Sequence, residues 1–171
     1  MGSGSAGAAS MRDAIIAVLP RLRRFCHAMA GNPADGDDLM QSAVERALAH
    51  GDQFQAGTRI DSWLYRIAQN LQIDLARSKA RRGTAVPVED AFDLIGDDGE
   101  GVYHRAELKA ASDALAQVPD DQRAAFVLVV VEGLSYREAA DVLEVPIGTI
   151  MSRIARARGR IEKVLGSAGG Q

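Results

Sequence analysis

The chain has 171 residues, of which 47% are apolar and 25% charged, and its formal charge is −3; this composition is typical of a globular protein with one domain or two small ones. Its longest unbroken apolar run, residues 124–131, is far shorter than the roughly 20 residues that a membrane-spanning helix needs, which argues against membrane insertion. A single cysteine and three scattered histidines exclude an internal disulfide and a zinc site of clustered ligands, and they favour a reducing cytoplasm.

The N-terminal 30 residues divide into two parts. Residues 1–10 are small, uncharged and too weakly apolar for a secretory signal, and we interpret them as a cloning remnant outside the fold. Residues 12–30 predict an amphipathic helix, because apolar residues recur at steps of three or four: Ile15, Val18, Leu22, Phe25 and Met29. Arg21 and Arg24 are expected on the opposite face of this helix.

Two further helices are predicted before residue 83. Asn32-Pro33 is typical of an N-cap followed by a first-turn proline, and the helix that it opens ends near Gly51. The next helix begins around Ile60, with Thr58 and Asp61 as a capping pair. Its buried stripe is predicted to contain Ile60, Leu64, Ile67, Leu71 and Leu75. Residues 59–82 have a net charge of +4 in a chain that is negative overall.

An abrupt change of composition then predicts a domain boundary. Residues 83–101 contain six acidic residues and no Lys or Arg, which is typical of a solvated linker. Helical patterns resume at residue 102, and residues 122–132 favour a buried core helix over a strand, since no partner strand is visible. The sequence therefore predicts an all-α fold of two small helical domains, residues 11–82 and 102–166, joined by a flexible acidic linker and followed by a short tail, residues 167–171.

The clearest local signal is a helix-turn-helix pattern. Gly133 can end one helix in the left-handed conformation, and Ser135 and Glu138 form the capping box that opens the next. That short helix, residues 136–143, is followed by a tight turn and a longer helix from about Ile147.

A cationic face on the longer helix favours DNA binding. Residues 147–163 have a net charge of +4, and the side predicted to face outward carries Thr149, Ser152, Arg153, Arg156 and Arg160. Arginine suits phosphate contacts and bidentate pairing with guanine, while small residues allow close approach to the major groove. A basic helix without the preceding cap, short helix and turn would more often be a solvated face.

These segments resemble the extracytoplasmic-function (ECF, group 4) sigma factors of the sigma-70 family. Residues 133–136 (GLSY) and 145–158 (VPIGTIMSRIARAR) are similar to sigma region 4. Residues 19–25 (LPRLRRF), 31–41 (GNPADGDDLMQ), 54–59 (FQAGTR) and 63–70 (WLYRIAQN) are similar to sigma region 2. The family usually has glycine where this chain has Glu144, which raises a question about the turn geometry.

The resemblance implies a role for each surface. The D-x-x-D-L-x-Q segment would dock on the clamp helices of the large subunit of core RNA polymerase. Its docking residues would be Asp35, Asp38, Leu39 and Gln41. Residues that melt and read the −10 promoter element would be Phe54, Arg59, Arg66, Asn70, Asp74, Arg77 and Arg81. The helix after the turn would read the −35 element, and the acidic linker would lie in the path of the exiting RNA.

The resemblance further implies an anti-sigma factor as partner. No enzymatic activity, metal or cofactor is expected, because no phosphate-binding loop or nucleophile with an adjacent base is present. Two alternatives stay open: a sigma-like decoy that binds an anti-sigma factor without DNA, and a helix-turn-helix repressor, which would need a dimer. A redox role for Cys26 has little support, since no neighbour in the sequence would lower the pKa of its thiol.

Overall fold

The computed structural model describes residues 3–83 and 102–168, with side chains over residues 10–83 and 105–167. Within these ranges every predicted helix is present and there is no strand, so the all-α prediction with two helical domains is confirmed. Residues 84–101, nearly all of the predicted linker, and residues 169–171 of the predicted tail lie outside the described residues. No helix in the described ranges combines the length and hydropathy needed to cross a bilayer.

The N-terminal lobe, residues 3–83, contains three helices. They are α1 (Ser3–Ala30), α2 (Pro33–Ala49) and α3 (Ile60–Arg82), with a 3₁₀ turn at Gly51–Gln53. Helix α1 thus begins nine residues before the predicted start. Asn32 is the N-cap of α2 as predicted, and its side-chain oxygen accepts a hydrogen bond of 2.8 Å from the Asp35 backbone N–H.

Side chains from all three helices fill the core of this lobe. Leu22, Leu39 and Leu64 are almost fully buried, and the rings of Phe25 and Tyr65 lie 5.1 Å apart. Helices α1 and α2 pack tightly at Gly36, where an added Cβ would lie 2.4 Å from Cδ2 of His27.

Two details of the α3 prediction were wrong. Leu75 is 46% exposed, because the C-terminal half of α3 extends beyond the core. The cap of α3 is Arg59, without a side-chain capping bond. Asp61 instead accepts hydrogen bonds from the Arg59 side chain and from the backbone N–H of Ser62.

The C-terminal lobe, residues 102–168, contains four α-helices in the described range. They are α4 (Val102–Ala116), α5 (Asp120–Phe126), α6 (Tyr136–Leu143) and α7 (Ile147–Ala168). Leu115, Leu128, Ile150 and Ile154 are buried at their junction, whereas Leu165, which was expected to face inward, is 39% exposed.

Helix α5 continues into a π-helical turn, Val127–Val131. The backbone N–H of Glu132 donates to the carbonyl of Val127 at 2.9 Å, five residues back. One extra residue in a turn offsets the following side chains by about 100° relative to a continuous α-helix. The predicted burial of this helix is therefore correct for Val127 and Leu128. Val130 and Val131, by contrast, are exposed, and Glu132 is buried.

Candidate nucleic-acid interface

The predicted helix-turn-helix is formed by α6 and α7. The Glu138 N–H donates to Ser135 Oγ at 3.1 Å, and the Ser135 N–H donates to Glu138 Oε2 at 2.7 Å, so both bonds of the capping box are made. On the inner side of α7, Ile150 and Ile154 anchor the helix to the lobe core. This packing leaves the other side of α7 free to enter a groove.

Glu144 closes α6 in the left-handed conformation, with φ 55° and ψ 45°. An L-residue with a side chain is strained there by about 1–2 kcal/mol, and glycine is not. Glu144→Gly is therefore expected to raise the free energy of unfolding by about 1 kcal/mol and the melting temperature by about 2–4 °C. Thermal denaturation followed by circular dichroism measures this shift. Glu144→Ala, which keeps a Cβ, should give no gain, and a lower melting temperature for the glycine variant would contradict the assignment.

The outer face of α7 carries three of the five predicted −35 residues exposed to solvent: Ser152, Arg156 and Arg160. Thr149 is half-buried. Arg153 points partly toward α5, with Nε 3.5 Å from Asp121 Oδ2. The surface available to DNA in this structure is therefore centred on Arg156.

A second polar surface follows α3. Four of the predicted −10 residues are exposed along α3, namely Asn70, Asp74, Arg77 and Arg81, and Arg59 is exposed just before it. Phe54, in the loop before α3, is half-buried and packs on Trp63 with 5.2 Å between ring centroids. Beside this aromatic pair lies a cavity of about 430 Å³, lined among others by Arg46, His50, Gln53 and Asn70. Stacking rings beside a polar cavity can receive an unstacked base.

Two of the predicted −10 residues contact the C-terminal lobe. Arg59 Nη1 lies 2.6 Å from Glu138 Oε1, and Arg66 Nη2 donates to the Asp141 carbonyl at 2.6 Å. Arg59 also pairs with Asp61 at 2.6 Å. Although burial raises the pKa of the Asp61 carboxyl, the hydrogen bonds from Arg59 and the Ser62 N–H lower it below its ordinary value.

Between the lobes lies a charged group that sequence reasoning missed. This Glu132 cluster consists of the buried Glu132 and Tyr65 and the partly exposed Arg21 and Arg24. The Glu132 carboxylate accepts from Arg21 Nε at 3.3 Å, Arg24 Nη2 at 3.1 Å and the Tyr65 hydroxyl at 3.0 Å, and its side chain has no exposed surface. Burial and the nearby Glu132 carboxylate raise the pKa of Tyr65. No local pattern marks these residues, because they meet only when the lobes pack.

The predicted polymerase-docking residues lie on α2. Asp35 and Asp38 are exposed and border a groove of about 200 Å³ with Leu75. Gln41 is exposed and donates to Glu45 at 3.2 Å. Leu39, by contrast, is 2% exposed and belongs to the core, so it shapes the surface from beneath.

Cys26 is fully buried in α1. Burial, together with the charge of Asp37, raises the pKa of its thiol to about 12. A buried thiol with a raised pKa is unreactive at neutral pH.

Comparison with known proteins identifies both lobes. Residues 15–82 match the family described as Sigma-70 region 2, and residues 108–161 match Sigma-70, region 4. The ECF RNA polymerase sigma factor EcfG of Rhodopseudomonas palustris is 36% identical over 156 residues, which cover 91% of this chain and 85% of that protein.

Two solved structures have the same fold. The sigma factor RpoE of Bartonella quintana, in complex with the anti-sigma factor NepR, is similar with a TM-score of 0.80 and 29% identity, covering 92% of this chain and 97% of that chain. The anti-anti-sigma factor PhyR from the same organism, complexed with NepR, has a TM-score of 0.58 at 18% identity, covering 89% of this chain and 49% of that one. The PhyR likeness concerns the fold alone.

Both sigma regions match in chain order, and the similarity to EcfG extends over most of both proteins. The chain therefore belongs to the ECF family of RNA polymerase sigma factors.

Proposed function

We propose that this chain acts in the cytoplasm as a group 4 sigma factor, which directs core RNA polymerase to specific promoters and catalyses no reaction itself. Residues 11–82 serve as region 2, residues 83–101 as the linker and residues 102–166 as region 4. The observation that carries the proposal is the exposed cationic face of α7, held outward by a complete capping box and a buried apolar side.

Reading of the −35 element is assigned to α7. Ser152, Arg156 and Arg160 face solvent on one side of the helix, where their spacing matches successive turns. Thr149 and Arg153 flank this face. On binding DNA, the Arg153 side chain would release Asp121 and contact the duplex instead. Arginine on a groove-facing helix selects guanine by a bidentate contact.

Arg156→Gln is expected to weaken binding to a −35 duplex by about 1–3 kcal/mol, or about 5- to 150-fold, because a bidentate base contact is lost. Fluorescence anisotropy with the cognate duplex and with an unrelated duplex measures the change. Arg105→Gln, an exposed arginine on α4, is the matched control and should bind as the parent does. Equal weakening by Arg156→Gln on both duplexes would instead make Arg156 a phosphate contact.

Melting of the −10 element is assigned to α3 and the loop before it. Unstacking a base costs a few kcal/mol, which stacking in a pocket and charge neutralisation of the backbone offset. The cavity beside Phe54 and Trp63 supplies the pocket, with Asn70 on its rim and Asp74 one turn farther along α3. Arg59, Arg66, Arg77 and Arg81 supply the charge.

Docking on core polymerase is assigned to the acidic surface of α2, formed by Asp35, Asp38 and Gln41 above the buried Leu39. Its partner is the pair of clamp helices of the large subunit. Carboxylates beside an apolar groove suit a basic helical partner.

An anti-sigma factor is proposed as the second partner. The likeness to RpoE, which was solved in complex with NepR, supports this assignment. Such a partner would hold the factor away from core polymerase until a signal releases it.

Transcription in vitro tests the function directly. Purified core RNA polymerase, with and without this chain, is given a promoter library from the source genome. We expect new start sites that depend on the chain. Initiation only where core enzyme alone initiates would overturn the proposal, and binding of an anti-sigma factor without initiation would identify a decoy.

A further inference from the structure

The lobes of this structure pack so that one covers part of the DNA surface of the other. Arg59 and Arg66, which the proposed function places against −10 DNA, are both held by α6 of the C-terminal lobe. They line an interlobe cleft of about 200 Å³ with Glu138 and Asp141. The acidic side of α6 therefore lies where the arginines would otherwise meet a nucleic-acid backbone.

The chemistry of this contact resembles that of a phosphate contact. Arg59 Nη1 lies 2.6 Å from a carboxylate oxygen of Glu138, a short charge-assisted pair of the kind that arginine also makes with phosphate. The backbone N–H of Ser135 and the Arg59 side chain lower the pKa of Glu138, so this carboxylate is charged at neutral pH. Arg59 is thus already paired with a negative group, although 51% of its side chain stays exposed.

Arg66 is only partly satisfied in the same contact. Its Nη2 donates to the Asp141 carbonyl, whereas its buried Nε has no hydrogen-bond partner within the described residues. An unsatisfied buried donor disfavours the packed state. The packed arrangement therefore needs a stronger contact elsewhere to hold it.

The Glu132 cluster supplies such a contact, beside a buried apolar core that continues through both lobes. Glu132 comes from the C-terminal lobe, whereas Arg21, Arg24 and Tyr65 come from the N-terminal lobe, and Arg21 also donates to the Glu132 backbone carbonyl at 2.9 Å. Removal of one charge leaves the other members uncompensated in the packed state, whereas water solvates every member when the lobes are apart, so loss of the Glu132 charge favours separation.

We propose that the free factor inhibits itself, because the Glu132 cluster locks the lobes together. In this locked state the Glu138 carboxylate and the Asp141 carbonyl of α6 bind Arg59 and Arg66 where the −10 DNA backbone would otherwise bind. This inference rests on the proposed function for the identity of the covered surface. Separation of the lobes on core polymerase then exposes the arginines at the moment when they are needed.

Two substitutions test the lock in the full chain. Glu132→Gln keeps the shape but removes the charge that holds three partners. Glu138→Gln removes the negative charge that faces Arg59, while glutamine still serves the capping box. Glu162→Gln, on the exposed side of α7, is the control with the same change in net charge. Circular dichroism establishes that each variant retains its helices.

The first readout is lobe separation without DNA. X-ray scattering should give the parent and Glu162→Gln a radius of gyration close to the value of about 16 Å for a compact chain of this length. Glu132→Gln should give a larger value. An unchanged radius for Glu132→Gln would overturn the lock, whether or not the chain proves to be a sigma factor.

The second readout is binding of a fluorescent single-stranded −10 oligonucleotide, taken from a start site found in the transcription assay, to the factor without core enzyme. Glu132→Gln should bind about tenfold more tightly than the parent if about one molecule in ten of the parent is open. Glu138→Gln, which frees only Arg59 from an exposed ion pair, should bind up to about fivefold more tightly. Binding equal to that of the parent and of Glu162→Gln would overturn the masking of Arg59 and Arg66. If the parent holoenzyme initiates nowhere, the proposed function fails, and the scattering result alone then decides the lock.

Discussion

Asp38→Lys is expected to abolish association of this factor with core RNA polymerase. Asp38 is exposed on α2, beside Asp35 and the apolar groove that Leu75 borders. A lysine there would place like charge against a basic partner and beside Lys79, and a like-charge contact in an interface costs several kcal/mol. Copurification with tagged core enzyme measures the loss.

The control for this experiment is Asp13→Lys, which makes the same charge change at an exposed position of α1, away from the α2 surface. It should copurify with core enzyme as the parent does. Because Asp38 is exposed and makes no core contact, Asp38→Lys should keep the helical content of the parent. Retained copurification of a folded Asp38→Lys protein would remove this surface from the polymerase interface.

Gly36→Ala is expected to lower the free energy of unfolding by about 2–3 kcal/mol and the melting temperature by about 5–10 °C. The added Cβ would lie 2.4 Å from Cδ2 and 2.7 Å from Cα of His27, so both the ring and the backbone of α1 obstruct it. The ring is fixed, since His27 Nε2 lies 2.7 Å from Asp37 Oδ1. The bonds from Arg23 and His27 lower the pKa of Asp37 to about 2, so that this carboxylate remains charged. The only relief is separation of α1 from α2.

Gly159→Ala is the matched control for that substitution. Gly159 lies inside α7, and a Cβ there would meet nothing within 4 Å. Alanine should therefore raise the free energy of unfolding by about 0.5–1 kcal/mol through helix propensity. Chemical denaturation of both variants measures the contrast, and a gain in stability for Gly36→Ala would contradict the close packing of α1 on α2.

Local features of the chain were predictable because they depend on neighbours in sequence. The capping box of Ser135 and Glu138, the N-cap at Asn32 and the inward side of α7 all arise from spacings of three or four residues. The left-handed conformation of Glu144 was not predicted; the family's usual glycine at this position only raised the question, and the structure answers it. The exposure of Arg156 and Arg160 is a consequence of the buried side opposite them.

Other features depend on residues that are distant in sequence, and periodicity carries no information about these. Arg21 and Arg24 have the spacing of a solvated face, yet they contact Glu132 more than 100 residues away. Leu75 continues an apolar stripe beyond the end of the core that should have covered it.

The amino-acid order alone was thus sufficient to specify the order of the helices, the caps of α2 and α6, the cationic faces and the family, because each is encoded within a few turns of chain. Contact between the lobes had to be seen in three dimensions: it buries Glu132, pairs Arg59 with Glu138 and places Arg66 against α6. A charged side chain can be solvated, paired or buried with the same local sequence around it, and the choice depends on which distant groups reach it when the helices pack.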